Sequence, residues 1–242
     1  MILPKRKRLS LSFKDMPKKR SNGDDRARQM LAQEAARIIV EQGLRDYRAA
    51  KIKAAERLGI GIRGSLPRNA EVERAISEHL QLFGRESHEG FLHSLREAAL
   101  QAMQFLDEYT PRLVGPVLVG TADENSAVNL HVFADSPETI AMELKNTGHS
   151  YRPYERRLKT SRGRGATPQR FPGFQFEFAN TWVETTVFPV DGIRQAPISP
   201  IDGKPMKRAD EKAVIALLES SSERDQGTPK SAPVSCADQS RP

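Results

Sequence analysis

Apolar residues recur at helical spacing through the first half of the chain and at strand spacing through much of the second. Asp24 or Asp25 caps a first predicted helix reaching Gln42, where Leu31, Ala35 and Ile38 share a face and Gly43 supplies the stop. Asp46 opens a second, with Tyr47, Ala50, Ala54 and Leu58 as its stripe and Gly59, Gly61 and Gly64 as its end. Asn69 caps a third around Val72, Ile76, Leu80 and Phe83, and Ser87 a fourth around Leu92, Leu95, Ala99, Met103 and Leu106, closed by Pro111. The period then changes. Strands are predicted over 114–119 and 127–133, followed by a helix that Ser136 caps with Pro137 at its first position. Residues 151–159 read as extended, 161–165 as a loop, and 174–188 as a hairpin turning at Asn180-Thr181. Ile140 and Leu144 face inward on the middle helix, and a last helix spans 209–219.

This order, helices then β-β-α-β-β-β then a helix, predicts an α+β fold: an N-terminal helical region packed on a mixed sheet core. The expected divisions are a disordered basic tail over 1–24, a helical region over 25–110, the sheet core with its last helix over 111–219, and a disordered tail over 220–242.

Composition refines the picture in three ways. The formal net charge is +7, from 38 basic and 31 acidic residues. Lys5, Arg6, Lys7, Arg8, Lys14, Lys18, Lys19 and Arg20 against Asp15 carry that whole excess, so the basicity describes the tail and not a groove in the body. Such a tail is either a solubilising arm or a non-specific contact to nucleic acid or anionic lipid. The single cysteine, Cys236, excludes an internal disulfide and a Cys-rich zinc site, and a reducing cytoplasm is the simplest compartment for it. No apolar run approaches the roughly 20 residues that cross a bilayer, so no membrane span is expected.

The common catalytic signatures are absent. There is no Gly-x-Ser-x-Gly elbow, no phosphate-binding Gly-x4-Gly-Lys-Ser/Thr loop and no Gly-x-Gly-x-x-Gly after a strand. His79, His88, His93, His131 and His149 lack zinc-motif spacing.

Over 113–135, however, the chain reads LVGPVLVGTADENSAVNLHVFAD. An apolar run, Gly120-Thr121, a polar loop, a second strand and then a helix resemble the core of the nucleotidyltransferase superfamily. The match covers roughly 87–189, and the whole chain is also similar to small proteobacterial proteins. The resemblance implies that Gly120 and Thr121 let the backbone approach a nucleotide. It also implies Mg²⁺ held by two acids spaced Asp-x-Asp on the second strand, with a third acid on a later strand. Two carboxylates at alternate strand positions share a face and can hold one hard cation. Here those positions fall on Ala127 and Asn129, or on Asn129 and His131, so the acid pair is missing.

With a turn at Asn180-Thr181, Ala179 faces Trp182 and Glu177 faces Glu184. Glu177, Glu184 and a loop acid, Asp123 or Glu124, then form a rebuilt divalent site, with Glu177 and Glu184 as its catalytic acids. The alternative is an exposed polar face balanced by Arg152, Arg156 or Arg157. Residues 151–170 also concentrate Arg152, Arg156, Arg157, Lys159, Arg162, Arg164 and Arg170 beside Tyr151, Tyr154 and Phe171. Arg156, Arg157, Arg162 and Arg164 are the candidate phosphate ligands, and the stretch suits single-stranded nucleic acid equally. The expected function is a catalytically degenerate nucleotidyltransferase-like protein binding a nucleotide or another phosphorylated ligand. Active Mg²⁺-dependent nucleotidyl transfer and an RNA- or protein-binding module are the alternatives.

Overall fold

The computed structural model describes residues 22–44, 46–61, 66–83, 85–123, 126–161 and 167–226. Its fold is α+β, with seven α-helices and a five-stranded mixed sheet among the described residues. The predicted tails, apart from 22–24 and 220–226, lie outside those residues, as do Glu124, Arg162 and Arg164. No helix among the described residues is long and apolar enough to cross a membrane.

Helices α1 (Asn22–Gln42), α2 (Tyr47–Leu58) and α3 (Asn69–Phe83) form a unit of their own. Asp46 caps α2 through bonds from the backbone N–H groups of Arg48 and Ala49, and Gly59 closes it at φ 64°. Leu31, Ala35 and Ile38 of α1 meet Ala50 and Ala54 of α2 and Val72 and Ile76 of α3 in one buried cluster. The small alanines of α2 let the helices approach closely.

Helix α4 (Arg85–Phe105) leads to the sheet. Its strands are β1 (Arg112–Val114), β2 (Val128–Phe133), β3 (Tyr151–Leu158), β4 (Gln169–Phe178) and β5 (Thr181–Phe188), in spatial order β1-β2-β5-β4-β3. Only the central β2–β5 pair is parallel. Helix α6 (Pro137–Asn146) lies on the crossover, and α7 (Glu211–Gln226) ends the described chain. Alternation splits each strand between two faces. Leu113, Leu130, Val132, Phe174, Phe176 and Val183 join α4, α6 and α7 in the main core. Asn129, His131, Glu184 and Thr186 belong to the opposite face, at whose far end Phe133, Phe171 and Phe188 form a smaller cluster.

Three predicted elements differ. The strand over 114–119 is a strand only to Val114. Gly115, at φ 77° and ψ −155°, turns the chain, and Pro116 starts a short helix, α5 (Pro116–Val119). Proline fixes φ near the helical value and lacks only an N–H that a first helical residue leaves unused. The last helix begins at Glu211 and runs on to Gln226, through residues assigned from composition to a tail.

The hairpin turns at Ala179-Asn180, one residue earlier than predicted, with φ values of 49° and 60°. Both central residues are left-handed, as a two-residue turn matching strand twist requires. Alanine is a poor occupant there. Replacing Ala179-Asn180 by Asn-Gly is expected to stabilise the chain by about 1 kcal/mol, read from its urea midpoint at unchanged slope.

Candidate functional site

The turn position decides which acids meet. Phe178 pairs with Thr181, so Glu177 lies opposite Trp182 and Glu184 opposite Gln175. Glu177 and Glu184 share a sheet face but are not opposed, and Glu177 is exposed. The predicted carboxylate pair is therefore not formed. Across the parallel ladder Glu184 pairs with Asn129. Arg156, from the other edge, bridges the two: its Nη1 donates to Asn129 Oδ1 at 3.0 Å and its Nη2 to Glu184 Oε2 at 2.6 Å. Gln175 Nε2 donates to the other Glu184 oxygen at 3.3 Å.

Arg156 is carried by its neighbours. Tyr154 lies flat over Gly173, its hydroxyl donates to the Thr185 carbonyl at 2.9 Å, and the Arg156 guanidinium stands 5.5 Å from its ring centre. Gly173 has no Cβ because a Cβ would meet the Thr185 carbonyl at 2.4 Å.

This cluster lies in the wall of a cleft of about 330 Å³ between the three-helix unit and the sheet. Gly115, Thr121, Asp123, Asn129, Arg156 and Glu184 line the sheet side, and Ile39, Leu44, Tyr47, Glu73 and Ile76 the helical side. Pro200 and Met206 of the loop before α7 also reach it. Thr121 Oγ1 donates to Glu73 Oε1 across the cleft at 2.7 Å, and the Tyr47 hydroxyl donates to Glu73 Oε2. Burial, reinforced by Glu73, pushes the Tyr47 phenol far above its usual range, so it stays a donor. Asp123 Oδ1 accepts from the Ser126 hydroxyl at 2.7 Å.

The structure thus gathers Thr121, Asp123, Arg156 and Glu184 from the predicted site residues. It separates the others. Gly120 caps α5 at φ 90° and abuts Leu92 and Arg96 of α4 rather than lining the cleft. The glycine that follows the first strand and borders Asn129 is Gly115, whose added Cβ would lie 3.5 Å from the Asn129 amide. Arg157 points to the opposite face from Arg156 and is exposed. Glu124, Arg162 and Arg164 are outside the described residues. Glu73 and Tyr47 were not predicted. Their pairing spans separate helices, and a glutamate beside an apolar stripe gives no signal of its partner. Gly115 did have one, the Gly-Pro step that breaks a strand.

The donors present do not fit Mg²⁺. Among the described residues no group of three or more His, Cys, Asp or Glu side chains is placed to hold a metal. Glu184 is already ion-paired. His131, at the second Asp-x-Asp position, is buried at 1% exposure and accepts from Arg208 Nε through Nδ1 at 3.0 Å. Its Nε2 then carries the proton and makes no hydrogen bond. Burial first, then Arg208 and Arg156, pull its imidazole from 6.5 to about 3, so it stays neutral. Arg208 itself rests 5.0 Å from the ring centres of Phe133 and Phe188 and donates to the Gly192 and Ile193 carbonyls. No family model matches the chain. No curated protein is similar to it at a significant level.

Proposed function

We propose that the cleft binds a nucleotide or another phosphorylated ligand on a nucleotidyltransferase-like scaffold that has given up its metal. One observation carries this reading. Arg156 spans Asn129 and Glu184, on the neighbouring parallel strands where the resemblance puts metal-binding carboxylates. A guanidinium takes the part of the cation, and its remaining N–H groups are donors for phosphate oxygens. Thr121 offers a hydroxyl beside it, and the backbone at Gly115 permits close approach. Ile39, Leu44, Ile76 and Met206 give an apolar wall suited to one face of a base. The volume lies at the small end of the roughly 300–1,000 Å³ typical of ligand pockets, which favours one nucleoside and little more. The same ion pair argues against Mg²⁺-dependent transfer, because a metal at Glu184 must first displace Arg156.

Thermal-shift titration with nucleoside mono-, di- and triphosphates, in Mg²⁺ and in EDTA, tests the reading. At one hundred times Kd the expected stabilisation is about 2.7 kcal/mol, equal in both buffers. Arg156→Ala is expected to abolish it and to cost about 2 kcal/mol of stability, since the buried Glu184 carboxylate loses its ion pair while keeping its hydrogen bond from Gln175. No shift at millimolar ligand would sink the proposal, and a shift only with Mg²⁺ would return the site to metal chemistry.

A further inference from the structure

We infer that the Arg157–Arg170 end of the β3–β4 hairpin and the loop before α7 tied to it are a phosphate track for a single-stranded nucleic acid, which passes round the β3 edge of the sheet so that its end enters the cleft. Arg157 and Arg170 are direct cross-strand partners, and both are exposed. Like charges placed so repel each other, a cost that a bridging anion removes. Two bonds hold the loop before α7 against the same end, and a third contact lies within the loop. Ile198 N donates to the Lys159 carbonyl at 2.6 Å, Gln195 Nε2 donates to the Thr160 carbonyl at 3.1 Å, and Ile198 pairs in turn with Pro205. Those contacts bring Arg194, Lys204 and Lys207, all exposed, to the segment that carries Lys159.

The acids nearby cancel this charge only in part. Glu155 is satisfied by Arg170 at 3.4 Å, with both side chains more than half exposed, so the pair is weak. The Asp202 carboxylate turns onto the backbone N–H of Lys204 at 3.0 Å, which holds it below the usual carboxylate range. Asp191 and Asp210 are the remaining acids of the loop, and Asp210 accepts from the Ala213 N–H in the first turn of α7. Arg157, Lys159, Arg170, Arg194, Lys204 and Lys207 are six cations against four acids, so the excess is positive. The same loop contributes Pro200 and Met206 to the cleft, so track and cleft share one segment.

The aromatic rings along this part of the hairpin, Tyr154 and Phe171, are engaged within the fold. Binding therefore rests on phosphate charge, is sequence-tolerant and weakens with salt. A cleft sized for one nucleoside admits a strand end and not a duplex. Only that entry of the strand end rests on the function proposed above.

The test is fluorescence anisotropy of a labelled 12-nucleotide single-stranded RNA with the full chain, from 50 to 300 mM salt. Arg157→Glu with Arg170→Glu, and separately Lys204→Glu with Lys207→Glu, are expected to weaken binding about tenfold at low salt. Each pair should reduce the salt slope by about 1.4, from two contacts at about 0.7 each. Melting temperature and the mononucleotide thermal shift should not change, since these side chains are exposed and outside the cleft wall. Unchanged RNA affinity in both double variants overturns the track. So does loss of all binding on replacing Lys5, Arg6, Lys7 and Arg8 by Gln, which assigns the RNA to the N-terminal segment. Tighter binding to phosphatidylserine vesicles than to the RNA overturns it in favour of a lipid surface. If no mononucleotide stabilises the chain while both double variants still lose RNA affinity, the track stands and the cleft reading falls.

Discussion

Gly173→Ala is expected to destabilise the chain by about 3 kcal/mol, the largest effect of any single methyl added to the sheet. The new Cβ would sit 2.4 Å from the Thr185 carbonyl and 2.6 and 2.9 Å from the Tyr154 ring. The ring can swing away, but the carbonyl belongs to β5 and moves only if the β4–β5 ladder opens. Forcing a methyl into packed structure costs about 1–3 kcal/mol, and expelling Tyr154 forfeits its hydroxyl bond to Thr185, about 1 kcal/mol more. Tyr154 in turn supports Arg156, so the nucleotide response should weaken with the fold. Urea unfolding measures the first effect, and a loss below about 0.5 kcal/mol means the glycine is there for some other reason. In a chain of this size the melting temperature should fall by roughly 6–12 °C.

Gly173 also marks where sequence reasoning runs out. The strand was legible because Phe174, Phe176 and Phe178 alternate with polar residues, a local pattern that burial on one face imposes. The need for a glycine was not, because the groups that exclude a Cβ, the Thr185 carbonyl of β5 and the Tyr154 ring of β3, come from two other strands and meet it only once the register is set. The same distinction runs through the molecule. Helices α1 to α4 and α6 follow stripes within their own sequences, and the predicted fold class is the observed one. Asp46 and Ser136 cap α2 and α6 as predicted, whereas α1, α3 and α4 already include Asp24, Asn69 and Ser87, the caps expected for them. Errors fall where a short apolar run carries no period. Val-Leu-Val after Gly115-Pro116 fits strand or helix equally, and the proline decides it.

The turn shows how a small error propagates. Asn180-Thr181 and Ala179-Asn180 differ by one residue, yet the choice moves Glu184 from facing Glu177 to facing Gln175. The predicted acid pair vanishes with it. In its place Glu184 gains Asn129 across a parallel ladder that no local pattern announces, and Arg156 from the opposite edge. Arg156 was legible as a basic residue in a basic stretch. That it, and not Arg157, turns inward follows from strand alternation once the register is fixed. Glu73 and Tyr47 required knowing how the helical unit meets the sheet, a relation between two separately buried cores.

Between pH 6.5 and pH 3 the stability of the chain is expected to carry a slope to which His131 contributes a separable share. The folded imidazole titrates at about 3 because protonation would place a charge in a buried site facing Arg208 and Arg156. The unfolded chain takes up the same proton near 6.5. Above 6.5 neither state is protonated and the residue contributes fully. Below it the unfolded state binds a proton that the folded state refuses, so stability falls as pH falls, by up to about 1.4 kcal/mol per unit. From pH 6.5 to 4.5 the loss reaches about 2.3 kcal/mol. His131→Asn retains an acceptor for Arg208 Nε but has no proton to gain. Its stability, measured by urea unfolding across that range, should lose the His131 slope while carboxylate contributions common to both proteins cancel in the difference. Parallel curves would mean that the imidazole is protonated in the fold, and that the Arg208 bond is not made through Nδ1. A flat difference above pH 7 with divergence below it would instead tie the residue to its neutral form, the state in which a ring at the second Asp-x-Asp position serves the packing of Arg208 and leaves the cleft to Arg156.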